Sequence, residues 1–205
     1  CDTNIATISK CFSDPYFQVQ VCAVETPGNI NNLENYYLRK ALTYAAEGPY
    51  TKELTPLKQW SHLPCLIIKD SSISNISDPK IMKSRVQTAI DTVQQADLFF
   101  LCKWNDTCDK YTDVSSDKQL KWTLQPTATQ AILFRPNGRD LIKTELETST
   151  LAAADVINSQ IVKKKVMATV FVPNIIDFDI DLATSAADYY KLNECAVQTT
   201  ATTNS

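Results

Sequence analysis

Leu63-Pro64-Cys65-Leu66-Ile67-Ile68 runs straight into Lys69-Asp70-Ser71-Ser72, and this junction decides how the rest of the chain is read. The first six residues form an uncharged run of strand length, and a run without polar alternation suits a strand covered on both faces. It ends abruptly in four polar residues, so the strand delivers a carboxylate into a short polar turn. Upstream, residues 33–46 place Leu33, Tyr37, Leu38, Ala41, Leu42 and Ala45 at the spacing of one helical stripe, and Gly48-Pro49 stops it. Residues 4–9 and 17–24 are short runs rich in branched and aromatic residues and read as two earlier strands. The second ends at the turn signal Thr26-Pro27-Gly28.

Downstream, Asp78-Pro79 predicts a helix start, a capping carboxylate followed by proline at the first helical position. That helix continues through Ile81, Val86, Ala89, Ile90 and Val93. Residues 98–102 predict a further buried strand, followed by a long polar segment over 103–118. Residues 131–134 predict another strand, closed by a turn at Pro136-Asn137-Gly138 and a short helix through Leu146. Thr148-Ser149-Thr150 offers caps for a helix with Leu151, Ala154, Ile157 and Ile161 on one face, and residues 166–172 read as the last strand.

Strands alternating with helices predict an α/β fold: one Rossmann-like domain over residues 1–190, with a mainly parallel central sheet flanked by helices. Residues 191–205, rich in Thr, Ala and Asn, read as a polar tail or a linker to a further domain. In such sheets ligands gather at the carboxyl ends of strands, which makes the polar residues after each strand the functional candidates.

The chain has 205 residues, enough to bury about 70% of its unfolded surface without staples. Its 3 glycines, Gly28, Gly48 and Gly138, are too scattered for a phosphate-cradling glycine loop. A single histidine, His62, excludes His-rich zinc sites and argues against histidine catalysis. A net charge of −3 supplies no positive field for nucleic acid, and Lys163 to Lys165 read as a solvated helix end. No run approaches the ~20 apolar residues of a membrane span.

The 7 cysteines are odd in number, contain no C-x-x-C, and several sit in apolar runs, which fits buried thiols and a cytoplasmic setting. The sequons Asn75-Ile76-Ser77 and Asn105-Asp106-Thr107 and the start at Cys1 fit secretion instead.

At Asp70-Ser71-Ser72 a carboxylate and hydroxyls at a strand end suit Mg²⁺ or Mn²⁺, which keep positions open for substrate phosphates. The same residues serve equally well as an Asx turn.

The order of these pieces resembles the GT-A glycosyltransferases. The residues that carry the resemblance are a helix ending in Ala45-Ala46, then His62 through Asp70, Asp97-Leu98-Phe99-Phe100-Leu101, Thr129 through Gly138, and Ala154-Asp155-Val156-Ile157. It covers about residues 4–177 as architecture more than identity. It is most similar to the lipopolysaccharide-type subgroup and to the small capsid-glycosylating domains of large algal DNA viruses.

The resemblance implies a UDP-sugar donor, a glycan or glycoprotein acceptor and the host-cell cytoplasm as the setting if viral. It puts the family's D-x-D on Asp70-Ser71-Ser72, with Asp70 and Ser72 on the metal, Asp70 and Ser71 on the donor, and Ser72 in place of the second carboxylate. A hydroxyl is a neutral, weaker ligand, so the ion is held more loosely. With no histidine after His62, Asp177, Asp179 or Asp181 has to complete the metal site, although their alternation also reads as an exposed strand edge.

The resemblance further implies nucleoside contacts from Thr7, Ile8 and Ser9, base contacts from Glu25 and Thr26, a phosphate contact from Arg39 and a donor-sugar contact from Gln130. Asp155, near a helix start behind small residues, takes the role of general base in an inverting transfer. An aspartate that merely favours the helix dipole looks the same. Trp104 and Trp122 are candidates to stack on an acceptor sugar, or to pack in the core. Two other classes remain open: a secreted binding module held by three disulfides, and a GT-A-like domain that binds sugar or nucleotide without catalysis.

Overall fold

The computed structural model describes residues 33–47, 60–69, 72–74, 76, 78–102, 112–114, 117–124, 126 and 129–178. The expected strands over 4–9 and 17–24, the boundary at 190 and the polar tail lie outside them.

The first described helix, α1 (Leu33–Glu47), buries Leu38 and Leu42, two positions of the expected stripe. A 3₁₀ turn at Trp60–His62 leads into β1 (Cys65–Ile68). All four β1 residues are half-buried rather than covered on both faces, and β1 stands at the end of the order of the described strands. A short strand, β2 (Ser72–Ser74), follows. Helix α2 (Pro79–Thr92) starts where Asp78-Pro79 predicts it: the Asp78 side chain accepts the Lys80 main-chain N–H at 2.8 Å, and proline occupies the first turn.

Next come β3 (Leu98–Phe100), β4 (Thr112–Val114), β5 (Asp117–Thr123) and β6 (Ala131–Phe134). The segment expected to be merely polar over 103–118 thus holds β4 and the start of β5. Helix α3 (Pro136–Thr148) follows β6 directly. Pro136, Asn137 and Gly138 form its first turn rather than a separate turn. Gly138 is needed for close approach: a Cβ there would lie 2.9 Å from the Asp97 carbonyl oxygen. Helix α4 (Ala153–Val162) has Ala152 at its N-cap with no side-chain cap, so the expected Thr148-Ser149-Thr150 cap does not form. Ser149 instead ends α3, and its Oγ accepts the Leu151 N–H at 3.1 Å. Strands β7 (Ala168–Phe171) and β8 (Ile176–Phe178) complete the described fold.

Six strands form one mixed sheet in the order β1-β6-β3-β7-β5-β4, while β2 and β8 pair separately. The α/β class stands, but the sheet is mostly antiparallel. Among the described strands only β3 and β7 pair in parallel; β1/β6, β6/β3, β7/β5 and β5/β4 are antiparallel. The reason lies in the connections. One helix, α2, joins β1 to β3 and returns the chain for a parallel strand. Two helices in succession, α3 and α4, join β6 to β7, and the second undoes the return of the first, so β7 runs opposite to β6.

Each sheet face carries its own core. Met82, Val86 and Ala89 of α2 and Val93 at its C-cap pack with Phe99, Leu133 and Phe171 on one face. On the other, Leu38 and Leu42 of α1, Ile142 and Leu146 of α3, and Val156, Ile157 and Ile161 of α4 pack with Leu98, Phe100, Ile132 and Val170. Among the described residues no helix is long and apolar enough to cross a membrane.

Candidate functional site at the strand-end edge

The register puts the carboxyl ends of β1, β3 and β7 and the amino end of β6 on one edge of the sheet. Because α2 and α4 lead into the far ends of β3 and β7, their amino termini lie at this edge too. The edge is tied together locally. The Lys69 N–H donates to the Gln130 carbonyl at 2.8 Å, and the Leu101 carbonyl accepts from the main-chain N–H groups of both Ile175 and Ile176 at 3.1 Å. That second contact carries the chain leaving β7 across the end of β3. There β8 meets β2, with Ser72 opposite Phe178, Ile73 opposite Asp177 and Ser74 opposite Ile176.

Asp177 is buried at 5% exposure, so the reading of its run as an exposed strand edge does not hold at this residue. The Asn174 side-chain amide lies 3.4 Å from its Oδ1.

The best-defined polar cluster joins α1 to the sheet. Lys69 Nζ donates to Glu34 Oε1 at 2.5 Å and to Thr129 Oγ1 at 2.6 Å, and Thr129 Oγ1 donates to the same Glu34 oxygen at 2.5 Å. Burial alone would raise the Glu34 pKa. Hydrogen bonds from Lys69 and Thr129, with the Lys69 charge, outweigh it and hold the carboxyl below its ordinary value. One residue further along α1, Asn35 Nδ2 donates to the Leu151 carbonyl at 2.5 Å, just ahead of α4. Glu34 and Asn35 therefore pin the sheet edge and the start of α4 to the same helix turn.

Asp155 stands exposed in the first turn of α4, at this edge. Gln130 stands there as well, but its Oε1 accepts the Thr129 N–H at 3.1 Å and is turned onto the neighbouring backbone. Ser72 opens β2. Arg39 is not brought to the edge: it sits five positions beyond Glu34, about 7.5 Å further along α1. Trp122 packs against the core next to Thr169, away from the edge. Thr7, Ile8, Ser9, Glu25, Thr26, Asp70, Ser71, Trp104, Asp179 and Asp181 lie outside the described residues. His62 is exposed ahead of β1, at the opposite edge.

The cation that the strand-end position supplies is Lys69, which is not among the expected site residues. Its signal was a charged residue directly after the apolar run. Glu34 and Thr129 carried no comparable signal.

Among the described residues no group of three or more His, Cys, Asp or Glu side chains could hold a metal. Asp177 with the neutral Asn174 amide supplies too little negative charge for a divalent cation by itself. Among the described residues Cys65 and Cys102 are not bridged to one another.

No protein-family model matches the chain, and no curated protein matches it.

Proposed function

We propose that the chain is a GT-A-type glycosyltransferase that moves a sugar from a UDP-sugar to a hydroxyl of a glycan or glycoprotein. The observation that carries the reading is the β2–β8 pairing at the strand-end edge. It brings Asp177 opposite Ile73, one register step from Ser72, the last residue of the Asp70-Ser71-Ser72 sequence that the resemblance makes the donor-binding motif. Of the three aspartates that had to stand in for the missing histidine, Asp177 is the one among the described residues. The mostly antiparallel sheet carries none of this reading; the edge does.

In this reading Asp155 takes the proton of the attacking acceptor hydroxyl as the new bond to the anomeric carbon forms and the bond to UDP breaks. Its solvent exposure suits a group that must meet an incoming acceptor. The amino termini of α2 and α4 turn partial positive charge toward the edge where the diphosphate would lie. A divalent cation, if resident, would neutralise diphosphate charge beside Asp70 and Asp177. A second reading, a sugar-nucleotide binder without catalysis, is favoured by Ser72 standing where the family has a carboxylate.

Thermal melting with UDP, GDP and TDP, each with and without Mn²⁺, tests donor binding, because a ligand selective for the folded state raises stability. The expected outcome is a shift largest with UDP and larger with Mn²⁺. No shift with any nucleoside diphosphate at millimolar concentration would sink the proposal. A UDP shift without sugar turnover on any glycan acceptor would select the non-catalytic reading.

A further inference from the structure

We infer that Lys69 and Thr129 form a seat for a phosphate oxygen of the donor diphosphate, and that the Glu34 carboxylate is an internal occupant which the diphosphate displaces. The inference rests on the donor reading above and assigns the phosphate contact to Lys69 rather than Arg39.

The geometry is that of a built anion site. One oxygen, Glu34 Oε1, receives both an ammonium and a hydroxyl at 2.5 Å, and the two donors touch each other at 2.6 Å. A threonine hydroxyl has one proton and two lone pairs, so it donates to Glu34 while accepting from Lys69, which leaves its orientation fixed. A set of donors that holds a carboxylate oxygen this way presents the same fork to a phosphate oxygen.

Access follows from exposure. Lys69 and Glu34 keep 30% and 38% of their side-chain surface in solvent, whereas Thr129 keeps 5% and forms the floor. Glu34 is in the first turn of α1, where a released carboxylate remains favoured by the helix dipole, so exchange costs less than removal of an ordinary ion-pair partner. A diphosphate brings more negative charge than the single carboxylate it replaces. Lys69 also adjoins Asp70 at the strand end, where Ser72 leaves the motif short of a second carboxylate and the metal weakly held. A fixed ammonium supplies positive charge there whether or not an ion is bound.

The test is calorimetric titration of inorganic pyrophosphate, without divalent cation, into the full chain and into Lys69→Met, Glu34→Gln and Thr129→Val. UDP is titrated in parallel. Loss of a charge-assisted contact predicts about tenfold weaker pyrophosphate binding in Lys69→Met, and removal of the competing carboxylate predicts about tenfold tighter binding in Glu34→Gln. Equal affinity in wild type and Glu34→Gln overturns the inference, even if Lys69→Met fails to fold, and makes the cluster a structural tie between α1 and the sheet. UDP binding and sugar transfer unchanged in Lys69→Met also overturn it while leaving the donor reading intact. Pyrophosphate binding that responds to both variants, with no preference for UDP and no sugar turnover, upholds the seat and defeats the donor reading.

Discussion

Asn35 and Leu151 are 116 residues apart in sequence and 2.5 Å apart in space, where the Asn35 side-chain amide donates to the Leu151 main-chain carbonyl. This contact ties the start of α4 to α1, and Glu34 beside it ties α1 to Lys69. The position of Asp155 relative to the sheet edge therefore depends on Asn35.

Asn35→Ala should destabilise the fold by about 1–2 kcal/mol, since it removes the hydrogen bond that the buried Asn35 amide makes across 116 residues of sequence. If Asp155 acts from the α4 terminus, the same variant should lower turnover more than donor affinity. Denaturant melts and kcat against KM separate the two effects; a loss of stability with unchanged kcat would detach Asp155 positioning from this contact.

If Asp155 is the general base proposed above, Asp155→Asn should abolish sugar transfer and leave the UDP-induced shift in melting temperature intact, because a base acting on the acceptor hydroxyl makes no contact that donor binding needs. Single-turnover transfer and thermal melting on one preparation check both halves. Normal transfer by this variant would remove Asp155 from the chemistry.

Glu34 predicts a pH dependence of stability. Its folded-state pKa lies below the ordinary value of 4.5, so its stabilising contribution is complete above that value and is lost as pH falls through the lower folded-state value. Glu34→Gln should erase that part of the profile. Denaturant titrations between about pH 3 and pH 7 should show wild type and variant converging on the acid side. Parallel profiles would show that the cluster does not tune this carboxyl.

Gly138→Ala offers a case in which two effects oppose. Alanine favours a helix over glycine by about 1 kcal/mol, but the added methyl meets the Asp97 carbonyl oxygen at 2.9 Å and Leu98 Cδ2 at 3.0 Å. Backbone of a sheet strand entry cannot retreat as a flexible side chain does, so overpacking should win by about 1–3 kcal/mol. A variant as stable as wild type would mean that α3 slides away from Asp97 at little cost.

Cys65 should resist alkylation in the folded chain. Burial, partly countered by the Arg139 charge, pushes its thiol up to about 12, and only the thiolate reacts. Iodoacetamide at pH 8 followed by peptide mapping should find Cys65 unmodified until denaturant is added. Rapid native modification would contradict its placement against α3.

Much of this was legible where one residue type has one physical use. Asp78-Pro79 admits little besides a helix start, and the apolar run 131–134 little besides a buried strand. Strand β5 was missed because it buries Leu120 and half-buries Trp122 between charged and amide neighbours, too few apolar positions to stand out from a polar stretch. The mainly parallel sheet expected from the alternation of strands and helices does not form, although both helices between β6 and β7 are legible in the sequence. Their number, even rather than odd, determines the strand's direction. The Glu34, Lys69 and Thr129 cluster was not legible at all. Its members are 35 and 60 residues apart, and nothing local to any of them announces the other two.

The β2–β8 pairing also bears on the order in which the chain matures. Ser72 and Phe178 are 106 positions apart, so the ribbon closes only after every strand of the main sheet has been synthesised. Pairings of such high sequence separation form late and slowly. A nascent chain that has not yet exposed Ile176 already contains Lys69, Thr129 and Asp155, yet it cannot make the ribbon that pairs Asp177 with Ile73. The strand-end edge is therefore completed late, after the sheet that carries it.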